Sequence, residues 1–252
     1  MNKVYCKISR FILAFVLLAS GCSRGAEAPE REPAIQPVLA RHIEVPEPSG
    51  LSISPDGQFL WSVSDADSRI YKLDLEGKIL KILPPPYPGA DLEGIASDPD
   101  PGFLWLVEER NREVLKIDTA GTLLSRTVLN IDTAPNSGPE GIAWHSKAQR
   151  LYVLTEKRPS LLLKLNADLT IEQQYALSGA RDYSGLFYDA ALDQFWMVSD
   201  QSRLLFRWDI ASGIIKSYQL GFDKAEGVVV YGNRAYIVSD STEMLYIFDL
   251  TD

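Results

Sequence analysis

The residues of this 252-residue chain that could do chemistry are mostly carboxylates in two recurring positions. In the first position, an acid or a serine stands directly before a glycine: Ser49, Glu93, Glu140, Ser184 and Glu226. In the second position, an acid follows an aromatic residue by four places: Asp65, Glu109, Glu156, Asp200 and Asp240. Carboxylate oxygens are ligands that Ca²⁺ prefers, and they also accept hydrogen bonds from backbone amides. Both positions are therefore candidates for a metal site or for structural capping.

The spacing of the first position indicates which elements must hold these residues. Its members are 44, 47, 44 and 42 residues apart. The first four copies each contain four short β-patterned runs, separated by turns such as Pro55-Asp56-Gly57. Four strands per unit at this repeat length are typical of propeller blades, whereas the repeats of parallel solenoids are usually shorter. The sequence predicts an all-β fold, a five-bladed β-propeller over residues 39–252.

The two ends of the chain predict how the propeller closes. The fifth copy reaches only its third strand, around residues 244–249, before the sequence stops. A β-patterned segment at residues 41–45 precedes the first copy and is a candidate for the missing outer strand. We expect this N-terminal strand to complete the last blade, because that pairing removes open sheet edges.

Propeller geometry places both recurring positions on one face. The first strand of each blade lines the central channel, so the start of that strand and the end of the second strand meet at one rim. The rim would hold eight carboxylates and two hydroxyls. Like charges this close need protons or cations, which side chains such as Lys157 and Lys224 or a Ca²⁺ ion could supply. The alternative is that the acids cap strand-end amides and tie each blade to its neighbour.

Other features of the sequence exclude several functions. His42, His145 and the two cysteines are the only His and Cys residues, so a zinc or copper site is not expected. The net charge of −9 argues against nucleic acid as a partner. No nucleophile elbow, H-E-x-x-H motif or phosphate loop is present. The aromatic residues four places before the second-position acids are predicted to pack between blades.

The N-terminus predicts export. Residues 1–21 combine Lys3, Lys7 and Arg10 with a short apolar run, as in a secretory signal peptide. Cys22 then follows Ser20-Gly21 and resembles a lipobox cysteine, so we expect it to be lipidated. Residues 22–38 are predicted to carry that cysteine on a flexible tether. The protein would be anchored to the cell membrane or outer membrane, with its propeller in the periplasm or at the cell surface. A plain secretory signal is the alternative.

The motifs together resemble the SdiA-regulated (YjiK-like) family. The matching phrases surround the two recurring positions: Pro48-Ser49-Gly50-Leu51, Asp91-Leu92-Glu93-Gly94-Ile95, Val107-Glu108-Glu109-Arg110, Gly138-Pro139-Glu140-Gly141, Thr155-Glu156-Lys157, Ser184-Gly185-Leu186, Ala225-Glu226-Gly227 and Ile237-Val238-Ser239-Asp240. The resemblance implies a five-bladed propeller, distantly similar to NHL-repeat proteins, with membrane-anchored export and a calcium site. It implies these metal ligands: Glu93, Glu109, Glu140, Glu156 and Glu226, supported by Asp240, which stands where the family has Glu. The remaining rim residues are possible supports: Ser49, Asp65, Ser184 and Asp200.

These observations lead to three hypotheses about function. The first is a calcium-binding, non-enzymatic envelope lipoprotein whose propeller recognises an envelope protein or a small ligand. The second is a calcium-dependent hydrolase that acts on esters, lactones or phosphoesters, with its metal in the propeller channel. The third is a structural scaffold that binds no metal. The resemblance implies no particular reaction.

Overall fold

The computed structural model describes Met1 and residues 34–250, and the described propeller is built of strands alone. It has five antiparallel four-stranded sheets, each formed from strands adjacent in the chain apart from the closing strand. This arrangement confirms the predicted all-β, five-bladed propeller. Among the described residues, no helix is long and apolar enough to cross a membrane.

Each blade runs outward from the channel. The first strand of the chain, β1 (Leu39–His42), belongs to the last blade, blade 5. Blade 1 contains β2 (Pro48–Ile53), β3 (Leu60–Ser64), β4 (Ile70–Leu73) and β5 (Ile79–Leu83). Blade 2 contains β6 (Leu92–Ser97), β7 (Phe103–Glu108), β8 (Glu113–Asp118) and β9 (Leu123–Val128). Blade 3 contains β10 (Pro139–His145), β11 (Arg150–Thr155), β12 (Leu161–Leu165) and β13 (Ile171–Ala176). Blade 4 contains β14 (Gly185–Asp189), β15 (Gln194–Ser199), β16 (Leu204–Asp209) and β17 (Gly213–Gln219). Blade 5 contains β18 (Ala225–Tyr231), β19 (Arg234–Ser239) and β20 (Met244–Asp249).

The first strands of the five blades form a ring around the channel. β2 contacts β6 and β18, and the remaining contacts run from β6 to β10, from β10 to β14 and from β14 to β18. Every blade therefore presents its innermost strand to the same axis, which brings equivalent positions of the repeat together.

Apolar side chains between neighbouring blades form the core. Trp61 of blade 1 lies in one buried cluster with Leu92 and Ile95 of blade 2. Four equivalent aromatic residues contact the next blade in the same way: Trp105, Tyr152, Trp196 and Tyr236. These five aromatic residues therefore pack between blades, as the sequence predicted, and they do not form a ring of exposed side chains that could bind a sugar.

The N-terminal strand closes the last blade. β1 pairs antiparallel with β20, with Ala40 opposite Tyr246. The strand occupies residues 39–42, slightly before the predicted 41–45. The next residue, Ile43, is only 1% exposed, and its N–H donates to the carbonyl of Glu243. The predicted closure is confirmed, and the chain leaves the sheet directly after His42.

The chain meets the propeller several residues before β1. The Ile35 N–H donates to the Gln219 carbonyl at 2.9 Å, and the Val38 N–H donates to the Ile247 carbonyl at 2.7 Å. Residues 34–38, which the sequence analysis assigned to the tether, thus lie against blades 4 and 5. The predicted signal peptide, Cys22 and the rest of the tether lie outside the described residues.

Candidate functional site

All ten predicted rim residues line one cavity, which we call the acidic cavity. Its volume is 270 Å³, slightly below the range of about 300–1,000 Å³ that is usual for ligand pockets. The ten residues are Ser49, Asp65, Glu93, Glu109, Glu140, Glu156, Ser184, Asp200, Glu226 and Asp240. The cavity lies where the first strands begin, so the propeller gathers side chains that are far apart in sequence.

β-Bulges place the first-position side chains in the acidic cavity. In blades 1, 2, 3 and 5, the pairing between the first two strands skips one residue, and the skipped residues are Ser49, Glu93, Glu140 and Glu226. A bulge leaves its extra residue unpaired and redirects that side chain. In blade 4, Ser184 instead stands directly before β14.

The glycine after each bulge lets the inner strands come close together. A Cβ atom on Gly50 would lie 2.9 Å from the Glu93 carbonyl oxygen, and one on Gly94 would lie 2.7 Å from the Glu140 carbonyl oxygen. Only glycine avoids these contacts with backbone. The resulting ring of glycines narrows the channel to a neck of about 10 Å³ below the carboxylates.

Backbone hydrogen bonds hold the second-position acids beside the first-position residues of the same blades. The N–H groups of Asp65, Glu109, Glu156 and Asp240 donate to carbonyl oxygens at 3.0 to 3.2 Å. Each acceptor stands two residues before the first-position residue of the same blade: Glu47, Asp91, Gly138 and Lys224. Four of the five blades therefore present their pair of rim residues in the same way.

Two of the second-position acids also tie neighbouring blades together. Glu109 Oε1 accepts a hydrogen bond from the Gly138 N–H at 3.0 Å, and Asp200 Oδ1 accepts one from the Lys224 N–H at 2.7 Å. The structural alternative considered for the rim therefore holds for Glu109 and Asp200. It does not account for Glu93 or Glu140, for which the described residues supply no side-chain hydrogen-bond donor or cation.

Two lysines neutralise part of the rim. Lys224 Nζ lies 3.6 Å from Asp200, 3.8 Å from Glu226 and 4.0 Å from Asp240. Lys157 forms an ion pair with Glu156. Lys224 therefore offsets part of the negative charge on the blade 5 side of the acidic cavity. Glu140 has no such cation among the described residues, and the nearby carboxylate of Glu93 repels its charge.

Burial and crowding raise the pKa of several rim carboxyls. Burial raises the pKa of Glu140 and of Glu93 well above their usual values, and the neighbouring carboxylates add to both shifts. Burial raises the pKa of Glu226 to about 8, although Lys224 opposes this shift. Burial and a hydrogen bond with Asp91 raise the pKa of Asp65 to about 6. The cavity thus holds more carboxyl groups than its two lysines can neutralise in the ionised state.

The carboxylates fall into two groups that could each hold a cation. One consists of Asp65, Asp91 and Glu93, and the other of Glu109, Glu140 and Glu156; within each group, carboxylate oxygens lie within 4.8 Å of one another. Oxygens on opposite sides of a Ca²⁺ ion are about 4.8 Å apart, because each Ca–O distance is about 2.4 Å. None of the described residues lining the cavity is Cys or His, so the donor set fits calcium better than zinc.

The structure separates the six predicted ligands. Glu109, Glu140 and Glu156 share one group, and Glu93 lies in the other. Glu226 and Asp240 instead lie near Lys224. All six line the acidic cavity, and their role as metal ligands stays a prediction.

Sequence reasoning missed four polar residues of the site, one of which is Gln201 in the lining of the acidic cavity. Asp182 and Asn136 line the acidic cavity, and Asp91 belongs to one carboxylate group. Asp182 is buried and accepts hydrogen bonds from the Ser199 hydroxyl and the Gln201 N–H. Asp91 and Asp182 both stand two residues before a first-position residue. Extending each repeat by two residues toward the N-terminus would have found Asp91 and Asp182.

Solved β-propeller structures resemble this chain at low identity. Virginiamycin B lyase from Staphylococcus aureus matches with a TM-score of 0.52 and 20% identity, over 81% of this chain and 66% of that chain. A chain of a nidogen/laminin complex matches with a TM-score of 0.58 and 19% identity, over 81% and 76% of the two chains. A luciferin-regenerating enzyme matches with a TM-score of 0.54 and 13% identity, over 83% and 94%.

These structural matches establish the shared fold alone, because the identities are low. This chain also spans just under two thirds of the lyase chain, at 66%. The sequence comparison with families is more specific, since a model of the SdiA-regulated family matches residues 34–249. That match covers nearly the whole described propeller, and the chain therefore belongs to the SdiA-regulated family.

Proposed function

We propose that this protein is a calcium-binding scaffold of the cell envelope, which recognises an envelope protein or a small ligand through its acidic face. One observation carries the proposal: Glu109, Glu140 and Glu156 bring carboxylate oxygens within 4.8 Å of one another inside a cavity. A divalent cation would offset the repulsion that raises the pKa of Glu140.

The same geometry suggests how a bound ion would take part in recognition. Three carboxylates supply at most six oxygens, and Ca²⁺ takes about six to eight. Glu109 already uses one oxygen for the Gly138 N–H. Further ligands would come from Asn136, from water or from an oxygen atom of a partner. A carbonyl or carboxylate on the partner would thus bind directly to the metal.

Calcium titration tests the metal. We expect metal-free protein to release or absorb heat on Ca²⁺ addition and to melt at a higher temperature with the ion. Glu140→Gln should weaken binding by at least about 10-fold, as loss of even an outer-shell partner costs about 10–100-fold. Glu44→Gln, at an exposed site, is the matched control. Absence of both heat and a melting shift would refute the calcium proposal.

Export and anchoring rest on residues 1–22 of the sequence and are tested separately. Cys22→Ser should move the protein from the membrane fraction to the soluble fraction and abolish its labelling by a fatty acid. Retention of both membrane association and label in Cys22→Ser would contradict the lipid anchor.

An activity panel separates the scaffold from the hydrolase. Purified protein is incubated with esters, lactones and phosphoesters, with and without Ca²⁺. The scaffold proposal predicts no turnover above that of Glu140→Gln. Turnover that requires both Ca²⁺ and Glu140 would replace the scaffold with the calcium-dependent hydrolase.

A further inference from the structure

A second cavity lies at the other end of the channel; we call it the distal cavity. Its volume is 340 Å³, and it is lined by the middle and final residues of the first strands and by the turns that follow them. All five blades contribute residues to its lining, among them Ile53, Ser97, Trp144, Phe187, Tyr188 and Tyr231. The acidic cavity is lined instead by residues where these strands begin.

The glycine ring separates the two cavities. The neck between them has a volume of about 10 Å³, and its lining includes Gly50, Gly94, Gly141 and their equivalents, with Glu140 and Glu226 of the acidic rim. A space of that size holds about one water molecule. A ligand larger than water could therefore not pass from the distal cavity through the neck to the rim carboxylates.

The walls of the distal cavity are mainly apolar. Leu51, Ile95, Ile142 and Leu186 surround it next to the neck, and aromatic rings lie beyond them. Walls of this kind, with a few polar groups, are typical of small-molecule sites. Burial of an apolar ligand here would be favourable in proportion to the area removed from water.

The distal cavity offers no free charge. Asp98 is the one charged residue among the described residues that line it. Its carboxylate accepts a hydrogen bond from Trp105 Nε1 at 2.7 Å and pairs with Lys116 at 3.1 Å. Both partners belong to the protein, so Asp98 has no need of a cationic ligand. A charged ligand would lose its hydration without gaining a counterion.

The few polar groups favour a ligand with at most a small polar substituent. The hydroxyl oxygens of Ser52 and Ser97 lie 3.1 Å apart, and the Ser97 N–H donates to Ser52 Oγ at 2.8 Å. Gln149 and Tyr231 are exposed residues of the lining. A ligand hydroxyl could therefore exchange hydrogen bonds with these groups while its apolar part contacts the walls.

We propose that the distal cavity binds a neutral, mainly apolar small molecule of about the size of two fused six-membered rings. An apolar cavity of about 150 Å³ accommodates one benzene molecule, and the distal cavity has roughly twice that volume at 340 Å³. This site is distinct from the calcium site and does not depend on it.

Calorimetric titration of the full chain with 2-naphthol tests the proposal. We expect saturable binding of one molecule per chain, with an affinity that Ca²⁺ leaves unchanged. Anionic 2-naphthoate should bind at least about 10-fold more weakly, because the site has no cation to pair with it. No saturable binding up to the solubility limit of 2-naphthol, or displacement of 2-naphthol by Ca²⁺, would overturn the proposal.

Matched variants locate the binding. Ile53→Asp places a charge in the wall of the distal cavity and should weaken 2-naphthol binding at least about 10-fold. Ile82→Asp makes the same change at a 48%-exposed position of the same blade and should leave the affinity unchanged. Equal affinities in the two variants would place binding elsewhere. If Ile53→Asp does not fold, Ser146→Trp at the exposed edge of the cavity should lower the affinity by narrowing the entrance.

Discussion

Glu140 has other carboxylates as its main electrostatic neighbours. Glu93, Glu156 and Glu109 all raise its pKa, in addition to the larger effect of burial. Among the described residues, no cationic side chain pairs with it. A charged group in this situation destabilises the folded protein unless it binds a proton or a metal ion. Because this arrangement destabilises the folded protein, we propose that Glu140 has a binding role.

Removing this charge should stabilise the metal-free protein. Glu140→Gln keeps the size of the side chain and removes its repulsion, so we expect a higher free energy of unfolding at neutral pH in the presence of a chelator. The measurement is urea unfolding of the wild type and the variant. With saturating Ca²⁺, the order should reverse, because the variant lacks one of the proposed ligands. A less stable variant under both conditions would show that Glu140 is structural.

The pH dependence of stability follows from the raised pKa values. Glu226 has a folded-state pKa of about 8 against 4.5 for an unperturbed Glu. The folded chain therefore holds this proton more tightly than the unfolded chain. The contribution is favourable below the unfolded pKa and is lost as pH rises toward 8, so the free energy of unfolding should fall over this interval.

Comparison with Glu226→Gln isolates this effect. Burial lowers the pKa of His145 below 6.5, which gives stability the opposite slope near that pH. The informative quantity is thus the difference between the wild type and Glu226→Gln in urea unfolding without metal at pH 5, 6.5 and 8. We expect the wild type to lose stability relative to the variant as pH rises. A difference independent of pH would contradict the raised pKa.

At the scale of the element, the bulge and its glycine act together. The bulge directs one side chain into the acidic cavity, and the glycine lets the next blade approach. In Gly94→Ala, the new Cβ would lie 2.7 Å from the Glu140 carbonyl oxygen and 2.7 Å from Val107 Cγ2. We expect a loss of about 1–3 kcal/mol in the free energy of unfolding, as is usual for overpacking.

A second glycine of blade 2 provides the control for this prediction. A Cβ on Gly102 would approach only the Asp100 side chain, at 3.4 Å. Gly102→Ala should therefore change the free energy of unfolding much less than Gly94→Ala does in the same urea titration. Similar values for the two variants would mean that the inner strands can move apart without cost.

The sequence was sufficient to predict the elements because the repeat is regular. The aligned glycines and acids identified five blades, and Met244–Asp249 without a following strand predicted the closure by β1. All ten rim residues also reached the predicted cavity. These results depend only on the blade and strand position of each residue, which spacing along the chain determines.

The grouping of the carboxylates could not be predicted in this way. Spacing does not determine which acid a flexible lysine contacts, and Lys224 lies near three of them. Asp182 was missed because its side chain reaches the cavity from the loop before β14. Such details depend on side-chain conformation and on loop paths rather than on the repeat.

At the scale of the whole molecule, the channel has two ends of different chemistry. The start of the first strands presents carboxylates, and their far end presents aliphatic and aromatic side chains. Both result from one repeat, because every first strand runs in the same direction along the axis. The ring of glycines that permits close packing of the blades also keeps the two cavities apart.

The integrity of both cavities depends on closure of the ring by β1. A chain that begins at residue 44 lacks β1 and also Ile43, which is 1% exposed. Loss of a buried aliphatic side chain alone costs about 2–5 kcal/mol, and domains of ordinary stability have about 5–15 kcal/mol in total. The exposed edge of β20 would in addition be free to pair with other chains.

We therefore expect the chain beginning at residue 44 to melt at a much lower temperature and to elute as aggregates in size-exclusion chromatography. The chain beginning at residue 34 keeps Ile35, Val38 and β1, with all their contacts to blades 4 and 5, and it should remain monodisperse. If both chains melted at the same temperature and eluted alike, the N-terminal strand would contribute nothing to closure. Loss of 2-naphthol binding together with calcium binding in the shorter chain would show that both sites need the closed ring.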